Sequence, residues 1–290
     1  MDLTVVVDGG GSGCRLAAFD ANGIRCTVAH DGPASLTLGV EQAWQHINSG
    51  IASLRTQLGM PADWLPANLC MGLSGSLQKN RANKFLALIP ESIDAILVTD
   101  GHAQLIGASN GEPAACLAIG TGSVLHWLDE SGVSGMAGGW GFPMGDEGSG
   151  AWLGAQLINA YLWHRDTFAA SNNTPKVFQY LEQRIGTSVS DIQVWSTKSN
   201  STELASLAPM IIDSAGQGDA LANSLIDQGV VLLQNLIRIA PASLPVYLIG
   251  GLAHIYQPRF DLPVQDRFRS PRGDALSGLF SISQNPGSGL

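Results

Sequence analysis

Residues 4–19 read TVVVDGGGSGCRLAAF, and this stretch decides the fold. Residues 4–7 are a short apolar, mostly β-branched run, which is typical of a buried strand. A turn follows Asp8 at residues 9–13, where Ser12 is the one residue that is not glycine. Residues 14–19 predict a second strand. Glycine lets a ligand approach the backbone closely, and successive free N–H groups form an anion-binding concavity. A tight hairpin without a ligand fits this turn equally well.

The strand–turn–strand pattern occurs a second time. Residues 114–119 predict a buried strand, Gly120-Thr121-Gly122-Ser123 interrupts it, and residues 124–128 predict the next strand. A repeat of this kind indicates a duplicated domain whose two turns face each other across a cleft. A third glycine turn, Gly250-Gly251, follows an apolar strand at 246–249 and could pass close to a flat ligand such as adenine. An ordinary strand-to-helix turn is its alternative.

The other hydrophobic patterns alternate between strand and helix periods. Further strands are predicted at 24–29, 68–73 and 93–98, and a loop with a short strand at 258–272. Helices are predicted at 39–58, 77–89, 151–163, 175–185, 189–197, 201–214, 220–239 and 273–280, with one more starting near Thr99 or Asp100. Four tryptophans on helical faces are predicted to lie in the core: Trp44, Trp152, Trp163 and Trp195.

Composition excludes several classes of protein. The 290 residues carry a net charge of −9, with 45% hydrophobic and 13% charged residues, which excludes a disordered chain. The negative charge argues against nucleic acid or an anionic membrane as the main partner. No apolar run approaches the ~18 residues of a membrane span.

The N-terminus has no signal-peptide pattern, so a cytoplasmic protein is expected. The spacing of the four cysteines matches no metal site, and reduced thiols are expected.

The glycine turns differ from two familiar nucleotide motifs. The phosphate-binding pattern G-x-x-x-x-G-K-[ST] is absent, and none of the four lysines follows a glycine turn. The dinucleotide pattern G-x-G-x-x-G leading into a helix is also absent after Val7. A strand–turn–strand phosphate site is therefore the hypothesis that remains.

Carboxylates follow two of the predicted strands. Asp8 cannot itself hold phosphate, but it can hold a hydrated Mg²⁺ that bridges to phosphate oxygens. Asp100 follows the strand at 93–98, at the edge where α/β proteins bind ligands. An aspartate there can accept the proton of an attacking hydroxyl, or it can simply cap a helix.

The densest irregular stretch is 138–154, which reads GGWGFPMGDEGSGAWLG. Of Asp146 and Glu147, one is predicted to cap the following helix and the other to accept hydrogen bonds from sugar hydroxyls. Trp140 could offer its face to a sugar ring, or it could be packed inside the loop.

Together these motifs resemble the sugar kinase/Hsp70/actin superfamily and, within it, the group of N-acetylglucosamine kinases and BadF-type ATPases. They look closest to bacterial glucosamine kinases. The resemblance implies an α/β fold with two ribonuclease-H-like (actin-like ATPase) lobes around an ATP cleft. The lobes would span 1–112 and 113–290, with the last helix, about 273–283, packing back on the N-terminal lobe. Kinases of this type are often dimeric, so a homodimer is an open expectation.

The resemblance also implies roles for individual residues, with ATP and Mg²⁺ as cofactors and an amino sugar as the other partner. Asp100 would be the catalytic base and Asp8 the metal site. Ser35 stands near a position that is often Asn in N-acetylglucosamine kinases, which favours the free amine. The ATP contacts would be Gly9, Gly10, Gly11, Ser12, Gly13, Cys14, Arg15, Gly120, Thr121, Gly122, Gly250 and Gly251. The sugar contacts would be Ser35, Asp100, Gly139, Trp140, Gly141 and Asp146.

The function that the resemblance implies is ATP-dependent phosphorylation of glucosamine to glucosamine 6-phosphate. An N-acetylglucosamine kinase is the nearest alternative. An ATP-gated activator or interaction protein of the BadF type is the alternative from another class, and the absence of iron–sulfur cysteine motifs disfavours it. A catalytically silent sugar sensor is disfavoured because Asp8, Asp100 and both glycine turns are present.

Overall fold

The computed structural model describes residues 3–11, 13–168 and 174–285. The chain divides into two compact units. Unit 1 contains residues 1–116, 128–134 and 270–290, and unit 2 contains residues 117–127 and 135–269. The last helix is therefore part of unit 1. The lobe limits expected from the sequence, 1–112 and 113–290, stay a prediction.

Unit 1 is built on a five-stranded mixed sheet. Its strands are β1 (Thr4–Gly9), β2 (Cys14–Phe19), β3 (Arg25–Asp31), β4 (Asn68–Leu73) and β5 (Asp94–Val98). Their order in the sheet is β3-β2-β1-β4-β5. The first three strands form an antiparallel meander, while β4 and β5 run parallel to β1 and to each other. Because β1 has apolar side chains on both faces, it must be covered on both sides.

Helices cover both faces of this sheet: α1 (Val40–Gln57), α2 (Lys79–Leu86), α3 (Asp100–Ser109) and α12 (Ala275–Gln284). Val5 and Val7 join the core cluster that includes residues of α1 and α2, whereas Val6 joins the cluster formed with α3 and α12. The backbones of helices α3 and α12 are in close contact at Gly278. A methyl group added at Gly278 would lie 2.2 Å from the carbonyl oxygen of Ala103. Only glycine fits there without moving the two helices apart.

The strands of the second sheet are β6 (Ala114–Ile119), β7 (Ser123–Leu128), β8 (Ser134–Gly138), β9 (Val246–Ile249) and β10 (Phe268–Arg269). Their order in the sheet is β8-β7-β6-β9-β10. Both sheets therefore have the same order, in which the third, second, first, fourth and fifth strands along the chain follow one another. The three-residue connection between β6 and β7 makes them antiparallel, and β9 runs parallel to β10. The internal repeat predicted from the two glycine turns is therefore confirmed.

Unit 2 also contains most of the helices. They are α4 (Gly150–Phe168), α5 (Lys176–Ile185), α6 (Val189–Lys198), α7 (Ser201–Ala205), α8 (Ala208–Gly216), α9 (Ala220–Ile237), α10 (Ala253–Tyr256), a 3₁₀ helix (Gln257–Arg259) and α11 (Leu262–Gln265). In the described part of the chain, no helix is both long enough and apolar enough to cross a membrane.

Three sequence predictions differ from the structure. The helix predicted at 201–214 is two helices, α7 and α8, because Pro209 lies in the first turn of α8, where its missing N–H costs nothing. Strand β8 was not predicted, since its sequence SGMAG has no β-branched residue. Trp163 is 68% exposed and does not lie in the core, whereas the other three helical tryptophans are partly buried.

Candidate active site

The first glycine turn, between β1 and β2, is held by its neighbours in unit 1. The N–H of Gly10 donates to the carbonyl of Gly13 (3.0 Å), and the carbonyl of Gly10 accepts from Ala34 N (3.1 Å). A methyl group at Gly9 would lie 2.8 Å from the Cβ of Ala34, whereas one at Gly10 or Gly11 would meet no atom within 4 Å. Gly9 is thus required by packing, while Gly10 and Gly11 leave open space for a ligand. Ser12 lies outside the described residues.

Three polar side chains form a row across neighbouring strands beside this turn. Asp8 on β1 pairs with Arg15 on β2, and Arg15 pairs with His30 on β3. Directly opposed residues on antiparallel strands share one face of the sheet. The Arg15 guanidinium donates to Asp8 Oδ2 from Nη2 (2.5 Å) and Nε (3.2 Å). Asp8 therefore has a cationic partner, Arg15, on the neighbouring strand.

Asp100 is the first residue of α3, and Thr99 alone separates it from the end of β5. The helix is capped by the Thr99 side chain, which accepts the N–H of His102 (3.0 Å), so Asp100 does not act as the N-cap. Asp100 Oδ1 accepts the N–H of Gly101 (2.9 Å). Burial raises the pKa of the Asp100 carboxyl to about 6, and the negative charge of Asp8 contributes to the same shift. A carboxylate with this pKa is a better proton acceptor at neutral pH than an ordinary aspartate.

These groups meet in one cavity of unit 1, with a volume of about 350 Å³. Of the residues predicted from the sequence, it is lined by Asp8, Gly9, Gly10, Gly13, Cys14, Arg15 and Asp100. Burial raises the pKa of the Cys14 thiol to about 11, so the thiol stays neutral. Three further lining residues were not predicted: His30, Asp31 and Gln104. Gln104 could have been found from its i+4 spacing to Asp100 on α3.

Ser35 is buried in unit 1 and does not belong to the lining of this cavity. Its hydroxyl lies 2.6 Å from that of Thr37 and also accepts the Thr37 N–H (3.3 Å). The backbone around it is joined to the loop after β4, because Leu36 N donates to Ser74 O (2.9 Å). The predicted sugar contact of Ser35 stays a prediction.

The second glycine turn, between β6 and β7, is bound to the start of α4 in unit 2. The N–H of Gly150 donates to Gly120 O (2.8 Å), and the N–H of Ala151 donates to Thr121 O (3.1 Å). A methyl group at Gly120 would meet no atom within 4 Å, and Thr121 is exposed. The turn therefore presents an accessible backbone at the predicted phosphate position.

Asp146 braces this second turn. It is buried and has φ 64°, a left-handed conformation that is uncommon outside glycine. Its Oδ1 accepts the N–H of Ser123 (3.3 Å), and a methyl group at Gly122 would lie 2.8 Å from its Oδ2. Burial raises the pKa of Asp146, although backbone N–H groups of the same loop partly offset this. The structure thus gives Asp146 a bracing role, and its sugar contact stays a prediction.

The prediction that Asp146 or Glu147 caps α4 is wrong. The side chain of Ser149 accepts the N–H of Trp152 (3.2 Å) and provides the cap. Further along the loop, Trp140 is 79% exposed and Met144 is 85% exposed. The flanking Gly139 and Gly141 both have positive φ values, 68° and 81°. The loop therefore holds an indole ring out of the core, where a sugar ring could stack on it.

The third glycine turn lies against β6, within unit 2. Gly250 has φ 95°, and a methyl group there would lie 2.3 Å from the carbonyl oxygen of Ile119. That carbonyl also accepts the N–H of Leu252 (3.1 Å). A methyl group at Gly251 would meet no atom within 4 Å. As in the first turn, one glycine is required by packing and its neighbour leaves open space.

Comparison with known proteins fits this pattern of glycine turns. The model of the BadF/BadG/BcrA/BcrD ATPase family matches residues 5–257, which include all three turns and Asp100. The chain belongs to this family. Glucosamine kinase GspK from Vibrio cholerae is 28% identical to this chain over 289 residues. The match covers 99% of this chain and 97% of GspK.

Two further relatives are similar over most of the chain. The N-acetyl-D-glucosamine kinase of Dictyostelium discoideum is 27% identical, covering 82% of this chain and 78% of that protein. The crystal structure of a candidate N-acetylglucosamine kinase from Chromobacterium violaceum is 30% identical, with a TM-score of 0.89, covering 98% of this chain and 100% of that one. The predicted fold class, α/β with two repeated lobes, is thereby confirmed.

Proposed function

We propose that this ATPase-family member transfers the terminal phosphoryl group of ATP to the 6-hydroxyl of glucosamine. The observation that carries the proposal is the meeting of Asp100, Asp8 and the open Gly10 of the first turn in one cavity. The names of the relatives support an amino sugar as the acceptor. ATP use follows from the family to which the chain belongs.

In the proposed reaction the 6-hydroxyl oxygen attacks the terminal phosphorus of ATP. A new P–O bond forms, the bond to the leaving ADP oxygen breaks, and the hydroxyl proton passes to Asp100. The products are glucosamine 6-phosphate and ADP. Little covalent chemistry falls to the protein, so positioning and charge stabilisation supply most of the rate.

The residues of the cavity fit a hydrated Mg²⁺. Mg²⁺ in nucleotide sites is held by one or two carboxylates, phosphate oxygens and water, and Asp8 and Asp100 supply such oxygens. Within the described ranges no three His, Cys, Asp or Glu side chains are arranged so that they could together hold a metal ion. Bound there, Mg²⁺ would neutralise charge on the phosphates. Asp8 would hold it.

The residues of unit 2 are proposed to bind the nucleotide and the sugar. The open backbone at Gly120 and Thr121 is suited to phosphate oxygens, and the open side of Gly251 to the adenosine. Trp140 would stack on the sugar ring, where its large exposed apolar surface would be buried. A homodimer also remains a proposal.

Phosphorylation of N-acetylglucosamine is the second candidate function. It is favoured by two of the three relatives described above. Glucosamine is preferred because of the similarity to GspK along nearly the whole chain and because Ser35 replaces the amide side chain expected for an N-acetyl site. Ser35 is already hydrogen-bonded to Thr37 and has no amide group to offer an acetyl substituent.

A coupled ADP-release assay with glucosamine, N-acetylglucosamine and glucose tests this proposal. We expect kcat/KM to be highest for glucosamine. A clear preference for N-acetylglucosamine would support the second candidate. Absence of sugar-stimulated ADP release with all three sugars would overturn both and favour an ATP-gated activator.

A further inference from the structure

The cavity in unit 1 has an excess of negative charge. Three carboxylates line it, those of Asp8, Asp31 and Asp100. Among the described lining residues, Arg15 and His30 are the side chains that can carry positive charge. A nucleotide triphosphate is itself strongly anionic, so repulsion from the carboxylates must be offset by cationic or N–H donor groups.

Arg15 is already engaged with a carboxylate. Its Nη2 and Nε atoms both donate to Asp8 Oδ2, which leaves only part of the guanidinium for a ligand. Arg15 therefore compensates Asp8 before any phosphate arrives. A second side-chain donor beside Arg15 would strengthen binding of a phosphoryl group from this side.

His30 is placed to be that second donor. It is directly opposite Arg15 in the β2–β3 register, as Asp8 is in the β1–β2 register. Opposed Cβ atoms on antiparallel strands are about 4.5–5.5 Å apart, so the imidazole stands on the same face as the guanidinium. His30 is exposed and lines the cavity, so its ring can meet a ligand there.

We propose that His30 is a phosphate-binding residue whose imidazole N–H donates a hydrogen bond to the terminal phosphoryl group of ATP, next to Arg15. This inference rests on the proposed kinase function. The groups that line the cavity with it are Arg15 on β2, Asp8 on β1, Asp31 on β3, and Asp100 and Gln104 on α3. We assign the hydrogen bond to the terminal phosphoryl group because, of the three phosphoryl groups of ATP, it must lie closest to Asp100, the proposed base, during transfer.

Nucleotides of different length test this placement. Binding of AMP-PNP, ADP and AMP with Mg²⁺ is measured by calorimetry for the wild type, His30→Ala and His30→Lys. His30→Ala should weaken AMP-PNP binding about tenfold, as expected for loss of a charge-assisted hydrogen bond, and leave ADP and AMP within about twofold. His30→Lys supplies an N–H donor at the same position and should recover most of the affinity for AMP-PNP.

The control is Cys26→Ala, which changes another exposed residue of β3 that does not line the cavity. It should leave all three affinities unchanged. If His30→Ala does not fold, His30→Lys and His30→Gln carry the test, and both should bind AMP-PNP more tightly than His30→Leu. Unchanged AMP-PNP binding in His30→Ala, or equal weakening of all three nucleotides, would overturn the role of His30. A wild-type protein that binds none of the nucleotides would instead overturn the proposed kinase function.

Discussion

Asp100 and Asp8 show how position gives two identical side chains different chemistry. Asp8 forms an ion pair with Arg15 on the neighbouring strand. Asp100 is partly buried at the start of α3 and lies near the negative charge of Asp8, and these two causes raise its pKa to about 6. Two acidic groups in different environments can serve one as a base and the other as an electrostatic anchor.

The pH dependence of catalysis follows from the raised pKa of Asp100. A base must be deprotonated to work, so kcat/KM for ATP should fall about tenfold per pH unit below pH 6 and level off above it. The measurement is a pH profile at saturating sugar, corrected for the assay's coupling enzymes. An acid limb centred near pH 4, the range of an ordinary aspartate, would contradict the assignment of Asp100 as the base.

The paired glycines of the third turn separate a structural role from a ligand-binding role. Gly251→Ala adds a methyl group in open space and should keep the melting temperature while weakening ATP binding at least fivefold. Gly250→Ala forces a methyl group against the carbonyl of Ile119 at a positive φ. It should destabilise the protein by roughly 2–4 kcal/mol. Thermal unfolding and calorimetric ATP binding, measured on both variants, distinguish the two effects. Wild-type ATP affinity in Gly251→Ala would contradict the proposed adenosine contact.

At the scale of elements, strands buried on both faces were the easiest to predict. The limits of β2, β4, β6 and β9 match the sequence prediction to the residue, because continuous apolar runs end abruptly at turn residues. His30 was missed for the opposite reason. It is the next-to-last residue of β3, a strand of mixed exposure, and its relation to Asp8 exists only through the pairing of β3, β2 and β1. Register between separate strands is not encoded in local periodicity.

Asp146 illustrates a second limit of sequence reasoning. The glycines that flank Asp146-Glu147 predict a carboxylate that accepts hydrogen bonds from sugar hydroxyls, and this sugar contact stays a prediction. The structure adds a contact that was not predicted, because the carboxylate of Asp146, on a left-handed backbone, lies against Ser123 and Gly122 in the second turn. A hydrogen bond of this kind depends on the path of the whole loop, so residue type and spacing alone could not predict it.

The contact between α3 and α12 is the element-scale feature that most depends on single glycines. Gly278→Ala would place a methyl group 2.2 Å from Ala103 O and 2.5 Å from Gly107 N. We expect a loss of about 3 kcal/mol, because backbone atoms cannot move aside as a flexible side chain can. The control is Gly216→Ala in α8, where a methyl group meets no atom within 4 Å. It should be neutral or slightly stabilising. Equal urea midpoints for the two variants would contradict the close packing.

At the scale of the whole molecule, one strand order occurs twice, and each sheet carries a glycine turn between its first two strands. Several glycines are fixed by packing, and others next to them leave space for a ligand. Membership of the ATPase family and similarity to amino-sugar kinases agree with this arrangement.

The central claim is that this chain phosphorylates an amino sugar with Asp100 as the base. The most direct test is the rate of glucosamine 6-phosphate formation by wild type and Asp100→Asn, with ATP and glucosamine binding measured on the same preparations. The substitution keeps the size and an acceptor oxygen but removes the proton acceptor, so kcat should fall about 10²–10⁴-fold while both affinities stay within a few-fold. A variant that forms glucosamine 6-phosphate at close to the wild-type rate would contradict the account.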